Sequence, residues 1–294
     1  MEKTDTKIRT GLRRKLIFIK KNVFLTVGLL LFVIILLCAV FSKAIAPYSP
    51  YDSNIKQRLS PPSRVHLFGT DEFGRDILSR IIYGTRISLL VGAVAVSIAT
   101  VFGVLLGALA GYYGGKVDAV LMRIVDSMLS FPAILLALSI VAVLGTGLIN
   151  LMIAIGIVYT GGFARVVRST VLSVKEEDFV EASKALGFPD SAIIWENILP
   201  NITSTIIVQA TVFLAYAVLA EAGLSFLGLG VQPPTPSWGE MLSAGRLHIQ
   251  TSPWITIFPG LAISMTVMAF NFLGDGLRDL LDPKSKAFVS RKGK

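Results

Sequence analysis

The sequence predicts an all-α, polytopic membrane protein with six transmembrane helices. Composition and charge spacing predict it. Hydrophobic residues make up 53% of the 294, and charged residues only 16%; a soluble domain carries about a quarter charged residues. Mean hydropathy is +0.69. The charges also leave long gaps, from Lys21 to Lys43, from Arg86 to Lys116 and from Asp126 to Arg165. Each gap offers about the 20 apolar residues that a helix needs to cross a bilayer, or more.

The composition also excludes. The one cysteine, Cys38, lies in an apolar run, so no disulfide framework or cysteine metal site is expected. A net charge of +9 fits basic cytoplasmic flanks in a membrane protein better than nucleic-acid binding. Membrane lipid is the expected surrounding.

Residues 1–22 carry eight Lys/Arg, among them Arg13, Arg14, Lys20 and Lys21, and such a flank stays in the cytoplasm. The first span, 23–46, runs outward. Its apolar run is too long for a signal peptide's central region, and Lys43 and Pro47 crowd the candidate cleavage site. Residues 47–84 then lie outside. Within them Thr70 reads as a helix N-cap, with Asp71 and Glu72 in the first turn. Phe73, Ile77, Leu78, Ile81 and Ile82 share one face, which predicts an amphipathic helix on the membrane surface.

Residues 85–276 hold five further spans. The second, about 85–110, is rich in Gly and Ala: Gly92, Gly103, Gly107 and Gly111 suit close helix packing in lipid. Tyr112-Tyr113-Gly114-Gly115 is the following turn. The uncharged stretch up to Arg165 barely holds two spans, turning at Gly145-Thr146-Gly147 and Asn150. The third span therefore begins before Asp126, and Pro132 bends it. Arg123 and Asp126 are three apart and able to pair. They read as a structural ion pair, or as a gate or coupling contact. The fourth span, 148–168, ends at Arg165 and Arg168. A polar loop, 169–202, follows. The fifth span, from 203 to about 227, holds Glu221 near its outer end. Glu221 either lines the outer mouth of a pathway or pairs with Arg86 or Arg246. Residues 228–254 read as a stiff outer loop, since its prolines resist helix, with Trp238 and Trp254 at the membrane–water boundary. The sixth span is 255–276, and a basic tail, 277–294, follows. Six spans return the chain to its starting side, in agreement with basic residues at both ends.

The centre of the chain is the stretch 178–200. Phe179, Ala182 and Leu186 form one apolar stripe on a short helix. Gly187 ends it, and Pro189 opens a second short helix. Glu181-Ala182-Ser183, then Gly187, then Ile198-Leu199-Pro200 resembles the EAA loop of bacterial ABC importer permeases. Ser183 stands where that family usually has Ala, and Ile198 lies directly before Leu-Pro. Gly69-Thr70-Asp71-Glu72-Phe73-Gly74-Arg75-Asp76 and the run from Asn271 to Pro283 resemble signatures of the C-type subunits of the dipeptide/oligopeptide/nickel branch.

The resemblance implies a type I ABC importer permease fold in the bacterial inner membrane, with both termini cytoplasmic. It implies a homologous second permease, two ATP-binding subunits and an extracytoplasmic substrate-binding protein as partners. ATP and Mg would sit on the ATPases, with no cofactor on this chain, which has no Gly-x4-Gly-Lys-Ser/Thr pattern. The 178–200 stretch would be the coupling loop against the ATPase. Glu181 would cap or pair there, Gly187 would permit the sharp exit, and Phe179, Leu186 and Phe188 would supply apolar contacts beside Ala182 and Ser183. Arg123, Asp126, Glu221 and Asn271 are candidate gate or pathway residues. The cargo would be a short peptide, or nickel or a metal chelate. An intramembrane enzyme is the rival class. It lacks a constellation: the histidines, His66 and His248, are far apart, and no Gly-x-Ser-x-Gly or His-Glu-x-x-His occurs. An ion channel would need a filter-like loop, and none stands out.

Overall fold

The computed structural model describes residues 23–281. The basic segment 1–22 and residues 282–294 of the tail lie outside the described residues. The main helices are α1 (Val23–Val40), α2 (Ile77–Tyr113), α3 (Gly115–Leu129), α4 (Ala133–Leu144), α5 (Leu148–Val174), α6 (Asp178–Ala185), α7 (Leu199–Phe226), α8 (Trp238–Gly245) and α9 (Trp254–Leu281). Among the described residues there is no strand, only an isolated bridge between Thr70 and Asp76. Five helices are long and apolar enough to cross a membrane; α3 and α4 make a further crossing only if taken together, and they are bent by 92° at their junction. Pro132 sits at that break, where its missing N–H ends a helix. The bend expected from the sequence is therefore a full corner.

The centre of the bundle is the parallel pair α2 and α5. A Cβ on Gly103 would lie 2.6 Å from the Phe163 Cβ, and one on Gly107 would lie 2.5 Å from the Ala164 carbonyl oxygen. From the other side, a Cβ on Gly156 would meet the Ile98 Cβ at 2.7 Å. The two backbones touch because these residues have no side chain. In lipid, where apolar burial gains nothing over the solvent, such close approach is how helices adhere. Helix α7 packs on α2, α9 on α7, and α1 on α9.

The end of the bundle where α2 begins carries a buried polar cap. Gly69 and Gly74 have φ of +78° and +74°, so the chain cannot be helical from Thr70. The helix begins instead at Ile77, with Asp76 as N-cap: its carboxylate accepts from the Ser79 N–H at 2.8 Å and the Ser79 hydroxyl at 2.7 Å. Thr70 instead clasps the loop, accepting from Ser60 N–H and donating to the Gln57 carbonyl. There is no separate surface helix. Ile77, Ile81 and Ile82 are buried, and Ile77 and Ile81 pack with Met241 and Ile255. The helical part of the apolar face that looked lipid-directed is covered by protein, while Phe73 stays exposed.

Asp71, Arg75, Arg80 and Glu240 meet in this cap. Arg75 Nε lies 2.6 Å from Asp71 Oδ2, and Arg80 Nη2 lies 2.8 Å from Glu240 Oε2. Arg80 also donates to the Pro50 carbonyl. Burial pushes the Glu240 carboxyl above its ordinary value while the Arg80 guanidinium pulls it back. Residues 238–245 are helical, not the expected irregular loop. Ser237 accepts from the Glu240 N–H as N-cap, and Ser237-Trp238-Gly239-Glu240 is the sequence form of a capping box. Trp238 is buried, not interfacial. Its indole donates to the Ile81 carbonyl at 3.1 Å. The last helix, α9, runs to Leu281, five residues beyond the expected span.

Glu240→Gln removes the charge facing an Arg80 that is 1% exposed. Breaking a buried pair costs about 3–5 kcal/mol. The expected result is a sharply lower melting temperature in detergent, whereas the exposed control Glu196→Gln leaves it unchanged.

Candidate functional site

The 178–200 elbow lies at the opposite end of the bundle. Helix α6 ends in a Schellman motif: the Phe188 N–H bonds the Ser183 carbonyl, the Gly187 N–H bonds the Lys184 carbonyl, and Gly187 has φ of +80°. A Cβ on Gly187 would meet nothing within 4 Å, so glycine is needed there for its backbone, not for space. Pro189 is the N-cap of the next helical run, whose first helical residue is Asp190. The expected second short helix is not a separate element. From Asp190 through a π-helical stretch, Ile193–Ile198, the chain runs helical without a break to Phe226.

The elbow is held on three sides. Asn197 donates its amide to Ser183 Oγ at 2.7 Å, and that hydroxyl donates to the Phe179 carbonyl. The Tyr112 hydroxyl, from the end of α2, donates to Asp190 Oδ1 at 2.7 Å, and Lys184 Nζ lies over the Tyr112 ring at 5.4 Å. Val180, Ile193, Ile194 and Ile198 are buried in the main core beside Val171. The outer surface is different. Phe179, Leu186 and Phe188 are exposed, Leu186 to 76%. Glu181 and Ala182 are exposed too, and the Glu181 carboxylate bonds to no group among the described residues. Trp195, in the helical run that follows, is exposed as well, to 68%. Sequence reasoning missed it, although a tryptophan within a polar loop was itself a signal. The elbow is thus a short helix held against the start of the next, with exposed apolar side chains and a carboxylate that has no partner among the described residues.

The other candidates are dispersed. Asp126 pairs with Arg165 on α5 at 2.7 Å, not with Arg123. The corner at Pro132 swings α3 across α5, which presents Arg165 to it. A second pair, Arg168 to Asp118, joins the same two helices. Glu221 is fully buried and pairs with neither Arg86 nor Arg246. Its carboxylate accepts from Ser88 Oγ on α2 and from Ser225 Oγ, each at 2.9 Å. It ties α7 to α2 and does not line an outer mouth. Asn271 is exposed on α9.

Residues 103–287 match the family described as "Binding-protein-dependent transport system inner membrane component", and residues 16–62 match "N-terminal TM domain of oligopeptide transport permease C". The chain belongs to this permease family. It is 51% identical to the dipeptide transport system permease protein DppC of Alkalihalophilus pseudofirmus, over 92% of this chain and 88% of that one. It is 46% identical to a di/tripeptide permease of Pseudomonas aeruginosa, over 88% of each. It is 45% identical to the glutathione permease GsiD of an Escherichia coli strain, over 87% of this chain and 85% of that one. The fold matches a chain of the MetNI methionine ABC transporter in an inward-facing conformation, with a TM-score of 0.60 at 19% identity, over 70% of this chain and 98% of that one. The permease is therefore an all-α, polytopic inner-membrane transport subunit with a type I ABC importer fold.

In this permease Ser183 does what the family's usual alanine cannot. Ser183→Ala removes the bond from Asn197, worth about 1 kcal/mol, and Gly187→Ala strains a left-handed residue by about 1–2 kcal/mol. Both variants are expected to remain in the membrane, with amide hydrogens of 178–188 exchanging several-fold faster and those of α2 unchanged.

Proposed function

We propose that the permease forms half of the translocation pathway of an ATP-driven importer of short peptides, and that the 178–200 elbow couples it to partner ATPases. The observation that carries this reading is the elbow itself. It exposes Phe179, Leu186, Phe188 and Trp195 on a rigid mount, beside an unpaired Glu181. Apolar anchors around one charge are what an interface core uses. Glu181 pairs in the ATPase groove, and Gly187 holds the turn. The peptide and glutathione names of the relatives favour peptide cargo over nickel.

The assembly contains a homologous second permease, two ATP-binding subunits and an extracytoplasmic binding protein. ATP and Mg act on the ATPases, and this chain performs no hydrolysis. The elbow end faces the cytoplasm with both termini, in keeping with the basic 1–22 flank. The continuous helix from Asp190 to Phe226 is the lever. When the ATPases close, the groove displaces the elbow, and α7 carries the displacement across the membrane without a hinge to absorb it.

A crosslinking scan tests this reading. In a Cys38→Ser background, single cysteines at Glu181, Ser183 and Gly187 are co-expressed with the ATPase partners, with Tyr51→Cys at the other end as control. Nucleotide-sensitive crosslinks to the ATPase are expected at the elbow and none at Tyr51. Trp195→Ala is expected to weaken ATPase recovery with the purified permease at least tenfold. Assembly with no crosslink from any elbow position would remove the coupling assignment.

A further inference from the structure

Helix α7 carries a polar stripe that its own subunit leaves unsatisfied. Thr205, Gln209 and Tyr216 repeat at intervals of four and seven, which places them on one face of a 3.6-residue helix. Elsewhere in the spans, hydroxyls bond the carbonyl four residues back, as Ser97, Thr160, Thr211 and Thr266 do. The hydroxyls of Thr205 and Tyr216 and the amide of Gln209 bond to nothing among the described residues. Gln209 and Tyr216 flank the midpoint of α7, about 10 Å apart along its axis. Tyr216 is half exposed there. Hydrocarbon offers no partner to such groups, so polar side chains at this depth face protein or water, not lipid.

The same face borders a groove between α4, α5 and α7. It is lined by Ile134, Ala137, Tyr159, Tyr216 and Leu219, and it holds about 160 Å³. The Tyr159 hydroxyl donates to the Tyr216 carbonyl at 3.0 Å, which fixes one wall. The groove is open, mostly apolar and uncharged. It is small beside the ~300–1,000 Å³ of a pocket that encloses a whole ligand. It fits one amino-acid side chain, with Tyr216 in its lining and Gln209 on the same face of α7, about two turns away. By contrast, Val101, Phe102 and Leu105 on α2 expose a purely apolar face suited to lipid.

We propose that Gln209 and Tyr216, with the groove beside Tyr159, form this subunit's wall of a water-filled path, and that an uncharged side chain and backbone amide of a peptide in transit contact it. The peptide part rests on the import function proposed above. The test uses the full transporter in membrane vesicles, with Cys38→Ser and single cysteines at Gln209, Tyr216, Leu219 and, as the lipid-facing control, Leu105. A membrane-impermeant methanethiosulfonate reagent is expected to modify positions 209 and 216 at least tenfold faster than position 105 in at least one nucleotide state. Excess dialanine is expected to slow both at least twofold. Leu219→Cys, on the same face, carries the test if Tyr216→Cys does not reach the membrane. Rates no faster than at position 105, with and without ATP, overturn the wall whatever the cargo. Fast modification that dialanine leaves unchanged overturns the peptide contact. Uptake of labelled dialanine by the cysteine-free parent separately decides the import function.

Discussion

The contact of α2 with α5 is the constraint on which the rest depends. Gly103 and Gly107 let the α5 backbone sit where side chains would otherwise stand. A membrane bundle gains little from burying one apolar side chain against another, because lipid is as apolar as the partner. It holds through close packing and the few polar bonds that water cannot contest. Once α2 and α5 are locked, the end of α5 fixes where Asp178 begins, and the end of α2 delivers Tyr112 to Asp190. The elbow inherits its position from glycines far from it in sequence.

Helix α7 is tied to α2 at both ends. Tyr112 to Asp190 makes the tie at the elbow end, and Ser88 to Glu221 makes it near the other. Between these ties the opposite face of α7 has unpaired polar groups and a shallow groove. The two faces therefore differ: one holds the scaffold, and the other keeps exposed polar groups.

Much of this was legible in the sequence because it is local. The charge gaps fell where the long apolar helices run, since the cost of burying charge in lipid is paid residue by residue. Gly187 announced its turn, because few other residues adopt φ of +80° cheaply. What the sequence hid were pairings between distant segments. Asp126 has Arg123 one turn away, yet it bonds Arg165 across a corner that only Pro132 hinted at. Glu221 looked like a pathway group because an intramembrane carboxylate is costly. Two serines, one of them 133 positions away, satisfy it instead. Trp238 has the composition of an interfacial anchor, and only the arrival of Ile81 and Gly84 beside it makes it a core residue.

The two ends of the bundle use opposite chemistry, and the difference follows from what each must do. At the far end, Asp71, Arg75, Arg80 and Glu240 bury their charges against one another. A buried ionic cluster gains little stability over an apolar one, but it tolerates few alternative arrangements. That suits a cap that fixes the register of four chain segments: the loop before α2, α2 itself, α8 and the start of α9. At the elbow end the apolar side chains are outside, and the polar bonds, Ser183 to Asn197 and Tyr112 to Asp190, sit behind them. An outward apolar face on a short helix stays soluble and ordered only if something else positions it. Here the bonds behind the helix do so, which keeps Phe179, Leu186 and Trp195 outward rather than folded back onto their own spans.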